Sequence, residues 1–264
     1  MNLKIFFLTL AFLSHSSWVF STDKVVKIAT LEDYAPYCLT VEGYETDGIF
    51  PPNSDSMGLR GYSWDVVRES FHEMGYTIDL TVSPWARAML YLKNGQTDLL
   101  FPTGKNTQRQ KTFYYSQEPV NHADFLIYVL KDSPIEWNGL ESLKGLKIGL
   151  KRGFNYGDKW AAAANIIKLD IGTISNGFKM LDLRRIDGFV GYEINWDYFL
   201  QKAGWETKYR KLPVFDSTME HVVALKSNPR ALELLNSFDA GKRKIIQNGT
   251  LQKIKEKWLG NKPE

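Results

Sequence analysis

The chain alternates short apolar runs of strand type with longer runs in which apolar residues recur at helical spacing. VVKIAT predicts a strand, WDVVRESFHEMG a helix that ends at Gly75, and TIDLTV the next strand. SPWARAMLYLKNG follows as a helix, with Ser83 as its N-cap and Pro84 as its first residue, and DLLF as the strand after it. This β-α-β-α-β order predicts a parallel sheet covered by helices on both faces, because each parallel connection needs a crossover.

A second series of the same kind follows. The strand FLIYVL (125–130) opens it, LKGLKIGL continues it, and helices over DKWAAAANIIK and GFKMLDLRR lead to the strand DGFVG. The polar composition of segment 46–61 predicts a loop. Two predicted helices, ALELLNSFDAGKRKII and LQKIKEKWLG, lie near the C-terminus. The sequence therefore predicts an α/β protein with two units of about 100 residues each.

The N-terminus has the pattern of a secretory signal peptide. Lys4 precedes the apolar run IFFLTLAFL, and Val19 and Ser21 suit a cleavage site, so we expect residues 1–21 to be removed. A membrane anchor is the alternative, but the apolar run is far shorter than the roughly 20 residues that span a bilayer. Cys38 is the only cysteine, which excludes an intramolecular disulfide and a lipid-modified cysteine after the signal. We expect an exported, soluble mature protein with Cys38 buried as a small hydrophobe.

Charge and motifs exclude several function classes. The net charge is +3 and the basic residues are scattered, which gives no support for a nucleic-acid or membrane-surface partner. GxSxG, HExxH, P-loop and GxGxxG motifs are absent, and the four histidines do not cluster with acids at metal-ligand spacing. We therefore expect no catalytic motif, no metal and no cofactor.

Several segments together resemble bacterial solute-binding proteins of family 3, the periplasmic receptors of polar-amino-acid ABC transporters. The matching segments occur in the family's order and are GYSWDVV, PWARAMLYLKNGQTDLL, TQRQKTFYYSQEP, LKGLKIGLKRG, RIDGFVG and NGTLQKIKEKWLG. The resemblance implies a type II two-lobe clamp, with residues 22–120 and 221–264 as lobe 1 and 121–220 as lobe 2. Hinges would lie near 118–123 and 215–221, and Trp258 would pack against the first hundred residues.

The same resemblance implies where a ligand carboxylate binds. Arg109, in TQRQKTFYYSQEP, holds the family's position for the arginine that grips an α-carboxylate, and its planar guanidinium can make two parallel hydrogen bonds. The alternative is a surface arginine that closes the loop. Thr103 and the Gly104 amide are the nearest candidates for further carboxylate donors.

The second lobe departs from the family pattern. The aspartate that usually receives the ligand's α-amino group is replaced by Tyr192, with Glu193 beside it. The resemblance therefore implies that this chain responds weakly to the twenty common amino acids. Lys151 and the Gly153 amide hold positions where the second lobe presents donors, although surface solvation of Lys151 is an equal alternative.

Aromatic residues are the remaining site candidates. Tyr34, Tyr37 and Tyr62 match positions where family members place rings against the ligand, and Trp85 heads its helix near Arg87. Such rings could stack on a planar ligand or attract a cation. Core packing is the alternative for each ring, and a structural role is the alternative for Arg87.

These expectations lead to one main hypothesis and two alternatives. The main hypothesis is that the chain is a monomeric periplasmic receptor for a small polar, carboxylate-bearing solute, which it delivers to an ABC permease. The first alternative is an enzyme on the same scaffold, similar to the dehydratase-like relatives, with Glu193 or another cleft acid as general acid or base. The second is a sensory module that presents its closed form to a membrane receptor.

Overall fold

The structure is a computed structural model that describes residues 24–260. The predicted signal peptide, 1–21, lies outside the described residues. Fourteen strands are present in the described range: β1 (Lys24–Thr30), β2 (Asp33–Tyr34), β3 (Cys38–Thr40), β4 (Gly48–Phe50), β5 (Leu59–Arg60), β6 (Tyr76–Val82), β7 (Leu99–Gly104), β8 (Phe113–Tyr115), β9 (Asn121–Leu130), β10 (Lys147–Lys151), β11 (Ile167–Ile171), β12 (Gly188–Tyr192), β13 (Tyr209–Lys211) and β14 (Asp216–Leu225).

Eight α-helices cover the sheet in the same range. They are α1 (Tyr62–His72), α2 (Trp85–Lys93), α3 (Thr107–Thr112), α4 (Gly157–Ala162), α5 (Ile174–Asp182), α6 (Glu193–Ala203), α7 (Ala231–Gln247) and α8 (Thr250–Leu259). None of the helices between residues 24 and 260 is long and apolar enough to span a bilayer.

One large sheet organises the molecule in the order β11-β10-β12-β9-β14-β7-β1-β6-β4. Parallel pairing joins β7, β1 and β6 into a first parallel group, and β10, β11 and β12 into a second parallel group. The long strands β9 and β14 run antiparallel to each other between the two groups. The chain therefore has the predicted α/β fold, with two mainly parallel units connected at two crossovers.

The structure corrects several predicted elements. FLIYVL lies in β9, which pairs antiparallel with β12 and so does not begin a parallel series. The predicted helix over DKWAAAANIIK ends at Ala162, and Ile167–Ile171 instead forms β11 beside β10. The segment predicted as a loop contributes β4, which pairs with the edge of β6. Ser83 does not cap α2, because Pro84 holds the N-cap position and the buried Ser83 hydroxyl has no partner.

The C-terminal helices return to the first parallel group. Trp258 Nε1 donates a hydrogen bond to Asp65 Oδ2 at 2.7 Å, and Lys257 Nζ lies 2.8 Å from the same oxygen. Asp65 is buried in α1, and its other oxygen accepts a bond from Arg68 at 2.8 Å. The predicted packing of Trp258 against the first hundred residues is confirmed. Cys38 is also buried, as predicted.

Candidate functional site

A small cavity lies between the two parallel groups, where β1, β7 and β12 end. The carboxyl ends of parallel strands commonly meet at such a crevice. The cavity volume is about 20 Å³, which is room for about one water molecule. Its wall consists of Leu31, Tyr34, Trp85, Pro102, Gly104, Arg109, Phe154, Asn155, Tyr192 and Glu220.

Arg109 reaches the cavity from the short helix that follows β7. The Asn106 side chain caps α3 by accepting a hydrogen bond from the Arg109 amide at 2.7 Å. The Arg109 guanidinium donates to the Gly104 carbonyl at 3.2 Å and lies 5.6 Å from the centre of the Trp85 ring. Among residues 24–260, no carboxylate lies within 4.0 Å of its nitrogens. Most of its N–H groups therefore remain available for an anion.

Three rings from opposite sides of the cavity contact one another. The Tyr34 ring centre, beside the first parallel group, lies 5.9 Å from Phe154 and 5.7 Å from Tyr192, both beside the second group. Phe154 and Tyr192 are 5.3 Å apart. Burial raises the pKa of Tyr34 and of Tyr192 well above the usual phenol value, so both hydroxyls are protonated donors. Tyr192 donates its hydroxyl proton to the Asn155 carbonyl at 2.5 Å.

Glu220 contributes a buried carboxylate to the cavity wall. It lies on β14 directly opposite Gly104 of β7, and the residue is 3% exposed. Its Oε2 accepts hydrogen bonds from the Tyr34 hydroxyl at 2.7 Å and from Asn121 Nδ2 at 2.6 Å. Burial raises the pKa of Glu220, while these two hydrogen bonds and the charge of Arg109 act in the opposite direction.

Polar contacts hold the two sides of the cavity together. Lys151 Nζ of β10 lies 2.5 Å from Asp33 Oδ2 of β2, and Lys151 is only 5% exposed. The Asn106 side chain donates to Asn155 Oδ1 at 3.1 Å, and the Asn195 side chain donates to the Ala35 carbonyl. These contacts describe a closed arrangement of the two parallel groups.

Five of the residues predicted from the sequence form part of the wall. Arg109, Tyr34, Trp85, Gly104 and Tyr192 meet there, although they are distributed over more than 150 positions of the chain. The structure thus brings the predicted arginine together with three predicted rings.

The other predicted residues lie outside the wall, for reasons of strand and helix geometry. Thr103 shares its face of the sheet with His221, opposite to the face that carries Gly104 and Glu220, because side chains alternate along a strand. Arg87 is exposed on α2. Tyr62 lies at the start of α1 with its ring 6.1 Å from that of Tyr37.

The three remaining predictions fall in the second parallel group. The Lys151 side chain forms an ion pair with Asp33. Gly153, in the left-handed backbone region with φ of 80°, lies beside Trp85 in a separate outer cavity of about 420 Å³. Glu193 pairs with Lys211 at 2.5 Å, away from the wall. None of these three residues is part of the wall of the cavity that Arg109 and Glu220 line.

The sequence reasoning missed Glu220, and it also missed Phe154, Asn155, Leu31 and Pro102. Two signals could have found some of them. Glu220 is an acid inside the apolar run that ends TMEHVVAL, within the predicted hinge 215–221. Phe154 and Asn155 follow the predicted donors directly in LKRGFN.

The described residues hold no constellation for a metal. Between residues 24 and 260, no group of three or more His, Cys, Asp or Glu side chains is arranged to hold an ion. The charged side chains of the cavity wall are the Arg109 guanidinium and the Glu220 carboxylate.

Two named bacterial binding proteins are similar to this chain in sequence. The chain is 24% identical over 220 residues to the L-cystine-binding protein TcyJ of Escherichia coli (strain K12), covering 81% of this chain and 80% of that protein. It is 25% identical over 249 residues to the arginine-binding extracellular protein ArtP of Bacillus subtilis (strain 168), covering 90% and 88%.

Solved structures share the fold. A histidine kinase sensor domain with similarity to periplasmic binding proteins superposes with a TM-score of 0.73 at 19% identity, covering 90% of this chain and 97% of that one. The sequence profile of the bacterial extracellular solute-binding proteins, family 3, matches residues 26–261. With this match over nearly the whole chain and the two-unit α/β fold around one cavity, the protein belongs to the family 3 solute-binding proteins.

Proposed function

We propose that this chain is a periplasmic receptor that encloses a small carboxylate-bearing solute between two lobes and delivers it to an ABC permease. Lobe 1 would comprise residues 22–120 and 221–264, and lobe 2 residues 121–220. The solute would occupy the cavity between them, with Arg109, Tyr34, Trp85, Gly104 and Tyr192 as contacts.

The proposal depends on the Arg109 guanidinium, most of whose N–H groups have no acceptor among the described residues. Its guanidinium lines the cavity, and no carboxylate of the described residues pairs with it. A guanidinium in such a place is well suited to a bidentate carboxylate, which would supply the missing negative charge. The Trp85 ring at 5.6 Å and the α3 cap at Asn106 fix its direction.

The size of the cavity supports a clamp that opens and closes. A volume of about 20 Å³ is too small for an amino acid or any similar solute. Entry therefore requires the two lobes to separate, and β9 and β14 are the strands about which they would move. The contacts of Lys151 with Asp33 and of Asn106 with Asn155 would break in the open form.

The names of the relatives support an amino-acid-like solute. One relative is named for L-cystine and another for arginine, and both molecules carry an α-carboxylate and an α-amino group. The expected weak response to common amino acids rested on Tyr192 in place of an aspartate. That expectation stays a prediction, although Glu220, which supplies a carboxylate to the same cavity from another strand, favours the opposite outcome.

The remaining parts of the proposal concern location and chemistry. The signal-peptide pattern in residues 1–21 supports export, and the chain would act as a monomer without a cofactor. Glu193, one residue considered as an acid catalyst, pairs with Lys211 outside the cavity and is not placed for that role, while the other cleft acid, Glu220, is held by Tyr34 and Asn121.

Identification of the solute tests the proposal. The mature protein is purified without denaturation, and mass spectrometry identifies what co-purifies. Amino acids and small carboxylates are then screened by thermal shift, where a hundredfold excess over Kd should stabilise the protein by about 2.7 kcal/mol. Release of the solute unchanged supports a receptor, and conversion to a product would contradict it. A complete lack of binding by carboxylate-bearing solutes would overturn the proposal.

A further inference from the structure

Glu220 is unusual because it is a buried acid without a cationic partner. The residue is 3% exposed, and no Lys or Arg among residues 24–260 lies within 4.0 Å of its carboxylate. Burial of an ionised carboxylate without a counter-charge is costly. Either a proton or a cation can offset this cost, and a cation that enters the cavity would favour the ionised form.

The hydrogen bonds of Glu220 leave one oxygen open. Both donors, the Tyr34 hydroxyl at 2.7 Å and Asn121 Nδ2 at 2.6 Å, bind Oε2. Oε1 accepts no hydrogen bond from the described residues, although the side chain lines the cavity. Two neutral donors orient the carboxylate, and the second oxygen remains free to accept from a bound molecule.

The groups around Glu220 indicate which kind of molecule its Oε1 can bind. Arg109 lines the same cavity, beyond ion-pair distance from Glu220. The wall thus presents one positive and one negative group to the same small space, with Trp85, Phe154 and Tyr192 around it. A molecule that satisfies both charges at once carries an anion and a cation a few bonds apart.

We infer that Glu220 binds the cationic group of a solute whose carboxylate lies on Arg109, and that it thereby takes over from the family's aspartate, which is Tyr192 in this chain. This inference rests on the proposed function. The ammonium acceptor then lies on the crossing strand β14, and the second parallel group contributes rings and the Asn155 amide to the site.

The experiment uses Glu220→Gln in the mature full-length protein. Glutamine keeps the shape, and its Oε1 can still accept from Tyr34 and Asn121, while its NH2 group replaces the free oxygen. The probes are the twenty common L-amino acids and L-cystine, together with the desamino analogue of each, which keeps the carboxylate and lacks the α-amino group. Glu141→Gln, at an exposed position, is the matched control.

The expected result has three parts. Glu220→Gln weakens binding of the amino acids that the unmodified protein accepts by about 30-fold or more, because an ammonium loses its charged acceptor. It changes the binding of the desamino analogues by less than about threefold, and Glu141→Gln changes neither. The melting temperature of the solute-free variant equals or exceeds that of the unmodified protein, because a buried uncompensated charge is gone.

The opposite results separate this inference from the proposed function. Equal affinity of Glu220→Gln and the unmodified protein for the amino acids overturns the inference. Preference of the unmodified protein for desamino acids also overturns it, while a solute carboxylate on Arg109 stays supported. A purely structural Glu220 would instead lower the melting temperature and weaken both probe sets alike. Failure of both probe sets to bind the unmodified protein overturns the inference, whereas the proposed function is then decided by the co-purified solute and the wider screen of carboxylates.

Discussion

Replacement of Arg109 by alanine removes the guanidinium from the cavity while leaving the fold intact. Within the described residues, Arg109 makes one hydrogen bond to the Gly104 carbonyl at 3.2 Å and one ring contact with Trp85 at 5.6 Å. A net hydrogen bond contributes about 1 kcal/mol and a partly exposed cation–π contact about 0.5–1 kcal/mol. We therefore expect Arg109→Ala to lower the free energy of unfolding by about 1–2 kcal/mol, a shift of a few degrees in Tm.

The effect of the same change on binding should be larger. Truncation of one partner of a desolvated charged pair costs about 2–5 kcal/mol. At 1.4 kcal/mol per factor of ten, Kd should rise by about 30-fold to several thousandfold. Arg109→Lys should recover part of this loss, because the charge returns without the planar pair of donors.

Isothermal titration calorimetry of the co-purified solute, at fixed pH and salt, measures this change. Arg185→Ala, which removes an exposed arginine far from the cavity, should bind as the unmodified protein does. Circular dichroism confirms that each variant is folded. An unchanged Kd for Arg109→Ala would show that the guanidinium is not the anchor and that Arg109 only closes its loop.

Three further predictions concern closure, pH and the C-terminal helices. Asp33→Asn removes the carboxylate that pairs with Lys151 between the two sides of the cavity. Without solute, this variant should have a larger radius of gyration in X-ray scattering than the unmodified protein, and it should bind the solute about 3- to 10-fold more weakly. An identical scattering curve would contradict a role of this ion pair in closure. Burial lowers the pKa of His221 to about 4, below its unfolded value of about 6.5, so the unfolded state binds more protons between these values and stability should fall as pH drops from about 6.5 to 4. His221→Asn should flatten this part of the curve of unfolding free energy against pH, and an equally steep curve would assign the loss to other groups. Asp65→Ala should lower the unfolding free energy by about 3 kcal/mol in urea, because Arg68 and Trp258 lose a buried acceptor; a loss under about 1 kcal/mol would show that α8 docks without it.

Local periodicity was sufficient to predict the first parallel unit. The spacing of apolar residues in WDVVRESFHEMG and TIDLTV depends only on neighbours, and α1 and β6 form where it predicts them. The choice of Arg109 and Trp85 as site candidates came from the family resemblance, and the structure places both residues in the cavity wall.

Strand direction and pairing were not encoded locally. FLIYVL has the apolar pattern of a buried strand in either direction, and only its pairing with β12 and β14 makes it antiparallel. The alanine run at 161–164 favours helix, yet Ile167, Leu169 and Ile171 alternate at strand spacing beside β10. In this segment the tertiary pairing prevailed over local propensity.

The acidic side of the candidate site depends on contacts that are remote in sequence. Glu220 meets Tyr34 across 186 positions and Asn121 across 99, and those contacts orient its carboxylate. A sequence pattern around residue 220 shows only an acid in an apolar strand. Its role as a wall residue follows from the register that places it opposite Gly104.

The division of groups between the two sides of the cavity has a consequence for the order of binding. Arg109 belongs to α3 beside the first parallel group, and Glu220 lies on the crossing strand β14, so both charges would stay near each other if the proposed lobes separate. Phe154 and Tyr192 would then move away with the second group, together with Asn155. A solute would therefore meet the charged groups first in the open form, while water still has access. Closure then adds the rings and excludes water, which strengthens the charged hydrogen bonds already formed. A solute that satisfies only one of the two charges would leave the other buried and unpaired at that step, so closure itself would discriminate against it.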